Sequence, residues 1–166
     1  ILIGKLQTGE PAVYIASAVD ETTIVTDVFA LVGNTLTNVT FSSESGTSVH
    51  TLRNYCVYAD DIDDDGVVEL PHLINMIMLD NITSAERQNL ICWYAMRSDG
   101  TEENKLYTFH NFVGGWYMRL EKEWAERVSV KPVGNSFEFY LCDENGADAE
   151  PIFTIYAFAG QDRETL

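Results

Sequence analysis

The chain has 166 residues, of which 46% are hydrophobic and 11% aromatic. That is enough to fill a core, and too much Tyr, Phe and Trp for a disordered chain. Twenty-six Asp and Glu against ten Lys and Arg give a formal net charge of −16, a field that repels phosphate backbones and anionic membrane surfaces and argues against a nucleic-acid partner.

In chain order, the first residues are Ile1-Leu2-Ile3-Gly4 without an initiator Met, so the segment reads as a piece of a longer protein. No basic stretch precedes an apolar one as a signal peptide requires. Alternating or aromatic-rich runs predict strands over 12–19, 25–31 and 36–41. A Ser/Thr-rich loop follows over 42–51, then a strand over 54–59, an acidic loop, and a strand over 67–70. Residues 73–79 fit either a strand or a buried helical segment. The apolar run from Leu70 to Leu79 is broken by Pro71, His72 and Asn75, and it falls short of the roughly 20 apolar residues of a membrane span. Thr83-Ser84 ahead of Glu86 and Arg87 predicts a capped short turn of helix near 84–89. Further strands are expected over 90–96, 105–112, 116–120, 129–133, 137–141 and 152–158, with about two turns of helix over 121–127. The sum is a mainly β chain with one or two short helices.

Stacking these runs shows a repeated order of strand, acidic turn, strand, glycine turn and strand over 13–41 and 91–120, with a partial copy over 137–160. Ordinary hairpin grammar gives a similar order. Taken as a repeat, the units are antiparallel meanders resembling propeller blades. A propeller closes with about four or more blades, so residues 1–166 read as one β-rich module that is part of a larger propeller or an open stack.

The sharpest local signal is Asp61-Ile62-Asp63-Asp64-Asp65-Gly66-Val67-Val68-Glu69. Calcium takes six to eight oxygens, several of them charged. Carboxylates at alternate positions let a tight loop aim Asp61, Asp63 and Asp65 inward, and Gly66 accepts the positive φ of a sharp turn. The Val67 carbonyl and the Glu69 carboxylate then complete the ligand set. An EF-hand is excluded, because its twelfth position must be Glu and here it is His72. Clustered carboxylates repel one another without a cation. A structural calcium therefore leads over an unoccupied acidic turn and over a regulatory or catalytic ion.

This pattern, set between Tyr58-Ala59-Asp60 and Leu70-Pro71, resembles the calcium loop of FG-GAP or VCBS-type repeats, the blades of extracellular β-propellers such as the integrin α-chain head. The resemblance implies Asp61, Asp63, Asp65 and Glu69 as side-chain ligands and Val67 as a carbonyl ligand. Asp64 stands where those loops often carry Gly, and neither Phe-Gly nor Gly-Ala-Pro occurs in the chain. His110-Asn111-Phe112 leading to Gly115-Trp116-Tyr117 also resembles uncharacterised secreted or lipid-anchored proteins of Gram-positive anaerobes.

Cys56, Cys92 and Cys142 form no Cys-x-x-Cys pair, which excludes a zinc ribbon or a thioredoxin-type motif. Their apolar settings predict buried thiols, with one disulfide as the alternative. His50, His72 and His110 lack metal-type spacing, and no nucleophile elbow, dinucleotide fingerprint or P-loop is present. Asn38-Val39-Thr40 and Asn81-Ile82-Thr83 match the glycosylation sequon. Trp93-Tyr94 and Trp116-Tyr117 place neighbours on opposite faces of a strand. At most one of each pair is therefore expected inward, which leaves Trp93, Trp116 and Tyr117 as candidates for stacking on a sugar or a partner. The function expected is a non-enzymatic, calcium-stabilised binding or scaffold module, secreted or attached to the cell surface, with a protein or glycan partner there. The alternative is a carbohydrate-binding or glycoside-active module.

Overall fold

A computed structural model describes residues 1–80, 82–143 and 149–157. Among these residues the chain is mainly β, with eleven strands in three antiparallel sheets. The first sheet runs in chain order through β1 (Leu2–Lys5), β2 (Pro11–Ala18), β3 (Ile24–Val32) and β4 (Thr35–Asn38). The second runs through β5 (Glu69–Asn75), β6 (Asn89–Met96), β7 (Glu102–Asn111) and β8 (Trp116–Leu120). The third has β10 (Ser136–Leu141) between β9 (Val128–Val133) and β11 (Glu150–Tyr156). No helix among the described residues is long and apolar enough to cross a membrane.

Local chemistry explains this layout. Along β3, alternate residues Ile24, Thr26, Val28 and Ala30 are buried, as period-2 patterning requires of a sheet with one covered face. The turn before it is closed by Asp20, whose carboxylate accepts the Thr22 and Thr23 N–H groups, both at 2.8 Å. All four prolines occupy positions that a sheet tolerates. Pro11 opens β2, and Pro71, Pro132 and Pro151 lie on the edge strands β5, β9 and β11.

The chain groups into two compact units. The first comprises Ile1–Leu73 with Cys92–Leu106, and the second Ile74–Ile91 with the residues from Tyr107 on. Leu6, Tyr14, Val28, Val68, Leu70 and Tyr94 form much of the first unit's core. The second unit holds an aromatic cluster. Phe109 meets Phe139 edge-on at 5.4 Å and Phe137 at 5.7 Å, and the cross-strand partner Phe153 stacks on Phe139 at 4.5 Å. Such pairs contribute about 0.5–1.5 kcal/mol each beyond their buried area.

Several expectations are corrected. Residues 54–59 form no strand, because side chains take over their backbone partners. Arg53 donates through Nε to the Val57 carbonyl at 2.6 Å, and the Tyr55 hydroxyl donates to the Pro71 carbonyl at 3.1 Å. The strand expected over 36–41 stops at Asn38, whose Oδ1 accepts the Thr40 N–H at 3.1 Å and turns the chain. The turn of helix expected near 84–89 is a hydrogen-bonded turn over 84–86, in which Glu86 accepts both the N–H and the hydroxyl of Thr83 at 2.8 Å. Over 121–127 the helix is a single turn, Lys122–Ala125 (α1). Residues 73–79 continue β5 only to Asn75, and the loop 42–51 ends in a 3₁₀ turn, Val49–Thr51. The end of the strand predicted over 152–158 and parts of the unit predicted over 137–160 lie outside the described residues.

Candidate metal centre

The acidic loop is closed at its base by the backbone. Asp60 and Glu69 bridge, with the Asp60 N–H on the Glu69 carbonyl at 3.1 Å and the Glu69 N–H on the Asp60 carbonyl at 2.8 Å. The Val68 N–H donates to the Lys5 carbonyl at 3.1 Å, and the Tyr14 hydroxyl lies 3.1 Å from both the Lys5 and the Val68 carbonyl. A Cβ at Gly4 would overlap the Val68 side chain, so the missing side chain lets β1 come this close. Inside the loop, Asp61 accepts the N–H groups of Asp65 and Gly66, each at 2.9 Å, and Asp65 Oδ1 accepts the Val67 N–H at 2.8 Å. Two residues turn left-handed, Gly66 at φ 85° and Asp64 at φ 61°. Asp tolerates that region better than most residues, which accounts for its standing where a Gly is common in similar loops.

These bonds bring three of the predicted ligands together. Asp61, Asp63 and Asp65 each offer a carboxylate oxygen, and these oxygens lie within 4.8 Å of one another. An ionised carboxylate has about four lone-pair sites, so the N–H groups on Asp61 and Asp65 leave capacity for a cation. Val67 gives its N–H to Asp65 and bridges Lys5. Glu69 stands outside the triad, but its carboxyl enters the loop, where Oε2 accepts the Ile62 N–H at 3.3 Å. The Glu69 side chain is wholly buried, and its Oε1, like Asp63 Oδ1, is buried with no hydrogen-bond partner. An oxygen taken from water without a partner is costly, and a hard cation with oxygen ligands is the chemistry that satisfies it. The donor set fits that class of ion.

The electrostatics follow from the same geometry. Burial, reinforced by the charges of Asp63 and Asp65, pushes the Glu69 carboxyl up to about 7. Asp65 is held below the ordinary carboxylate range, first by the Val67 N–H and then by Lys105. Lys105, on β7, places Nζ 3.1 Å from Asp65 Oδ2 and 3.1 Å from Gln7 Oε1. Sequence reasoning missed Lys105, because nothing local ties a lysine forty positions away to the loop.

The aromatic candidates separate. Trp93 and Tyr94 are both buried, at 2% and 3% exposure, which corrects the expectation that at most one faces inward. β6 is an internal strand with both faces covered, so Trp93 is not available for stacking on a ligand. Trp116 is half-buried against Phe109 and Phe137. Tyr117 is half-exposed, and its ring stacks 5.2 Å from His110, which also stacks on Phe112 at 5.5 Å. Cys92 and Cys142 are buried thiols as expected, whereas Cys56 is exposed, and the described residues contain no disulfide. The Asn38 amide nitrogen donates to Asp27 at 2.9 Å, and Asn81 lies outside the described residues.

An open cleft of about 500 Å³ in the first unit lies away from the acidic loop; its lining includes Phe41, His50, Asp99 and Glu102 and none of the predicted aromatics. No family model, curated protein or solved structure matches the chain.

Proposed function

We propose that the chain is a non-enzymatic binding or scaffold module whose Asp61–Glu69 loop holds calcium. The observation that carries this reading is the pair of orphaned, buried carboxylate oxygens, Asp63 Oδ1 and Glu69 Oε1, in the same loop as the three clustered carboxylates. Asp61, Asp63, Asp65 and Glu69 would supply side-chain oxygens and Val67 a carbonyl. The ion would lock the segment that the Asp60–Glu69 and Lys5–Val67 bridges join to β1 and β5. The D-x-D-x-D-G-x-x-E spacing and its resemblance to FG-GAP and VCBS loops support the same assignment. Weak calcium sites, with Kd near ~10⁻⁴–10⁻³ M, suit extracellular modules, so we place the protein outside the cell or on its surface, with a protein or glycan partner.

Thermal unfolding in chelator and in 10 mM calcium tests the reading. That concentration is about 10–100 times the Kd, which stabilises the fold by about 1.4–2.7 kcal/mol. For a chain of this size the corresponding rise in Tm is about 3–10 °C. Asp63→Ala with Asp65→Ala should abolish the increment. Equal Tm values for the unaltered protein in the two conditions would refute the assignment.

A further inference from the structure

Among the described residues, Lys105 is the one lysine or arginine that forms an ion pair with the acidic loop. Its side chain is only 17% exposed, and its ammonium is fixed at two points, Asp65 Oδ2 and Gln7 Oε1, each at 3.1 Å. Gln7 is itself anchored, since its backbone N–H donates to the Met96 carbonyl at 2.9 Å. Lys105 is therefore held against one of the three clustered carboxylates by partners on two separate stretches of chain. A fixed positive charge there has two consequences. It offsets the mutual repulsion of the loop carboxylates when no ion is present, and it opposes a second cation entering the same oxygens.

We infer that Lys105 is the resident counter-cation of the loop, holding it in shape without an ion and setting the calcium concentration at which the site fills. This inference rests on the calcium reading above. A single charge about 6 Å from a divalent ion, at the dielectric of water, changes affinity about tenfold. The ammonium thus keeps the site weak, and a loop without it would bind tightly while repelling itself in the metal-free state.

Calcium titration calorimetry on the full chain tests this with Lys105→Met, which removes the charge, and Lys105→Arg, which keeps it. Lys105→Gln serves as a second neutral variant should the methionine fail to fold. The neutral variants should bind calcium about tenfold more tightly than the unaltered protein and melt at a lower temperature in chelator. The arginine variant should match the unaltered protein in both respects. Neutral variants that bind at unchanged or weaker affinity, while the unaltered protein still binds, would overturn the role of Lys105 and leave the calcium reading standing. Absence of binding heat from the unaltered protein would overturn both.

Discussion

Glu69→Gln is expected to stabilise the metal-free fold and to forfeit the stabilisation that calcium gives the parent. In the metal-free protein Glu69 is wholly buried, and burial together with Asp63 and Asp65 raises its carboxyl from 4.5 to about 7. At about 1.36 kcal/mol per unit, carrying that charge above pH 7 costs the fold about 3 kcal/mol. The sign follows from proton binding. The folded carboxyl holds its proton more tightly than the unfolded one, so the favourable contribution is fully present below pH 4.5 and is lost as pH rises through 7. Glutamine preserves the acceptor for the Ile62 N–H and removes the charge. In chelator at pH 8 the variant should therefore be more stable than the parent by up to about 3 kcal/mol, and the gap should shrink at pH 5. In 10 mM calcium at pH 8 the gap should narrow by about 1.4–2.7 kcal/mol, because the parent gains the ion and the variant has lost a charged ligand. Guanidinium midpoints at both pH values, with chelator and with calcium, measure each quantity. A variant less stable than its parent in chelator at pH 8, or a gap equal at pH 5 and pH 8, would refute this reasoning.

Other outcomes follow from single contacts. Tyr14→Phe removes the hydroxyl shared by the Lys5 and Val68 carbonyls and should cost about 1–3 kcal/mol by denaturant midpoint, since it leaves buried acceptors short of a donor. Trp93→Ala should cost about 3–5 kcal/mol as a core truncation, and fluorescence of a protein retaining only Trp93 should resist acrylamide quenching. His110, whose ring is stacked between Phe112 and Tyr117, is lowered from 6.5 by burial. The folded state then binds fewer protons than the unfolded one, so stability should fall as pH drops below 6.5. His110→Gln should remove that component of the pH dependence in a series of midpoints.

The acidic loop was legible because its information is local. Alternate carboxylates followed by Gly66 specify a turn that aims oxygens inward, and Asp61, Asp63 and Asp65 do converge. Lys105 and Gln7 were not legible, since their positions follow from the pairing of distant strands. The meanders could be read from alternation and turn residues, and β8 matches its predicted span, Trp116–Leu120. Alternation fails where both faces are covered, so it cannot tell that Trp93 and Tyr94 are both interior. β1 escaped notice because four residues including Gly4 carry little strand signal, and its place depends on Val68 approaching a residue with no side chain. Over 54–59 the apolar residues suggest a strand, but Arg53 takes the segment's own Val57 carbonyl, Tyr55 reaches out to the Pro71 carbonyl, and the segment stays irregular.

The proposed cation would sit among the carboxylates of Asp61, Asp63 and Asp65. Anomalous diffraction from crystals grown in millimolar calcium tests it most directly. A peak is expected among those three carboxylates, with oxygens at about 2.3–2.6 Å and a contribution from Glu69. A well-ordered loop with no peak, in which Lys105 remains the only cation on Asp65, would contradict the proposal.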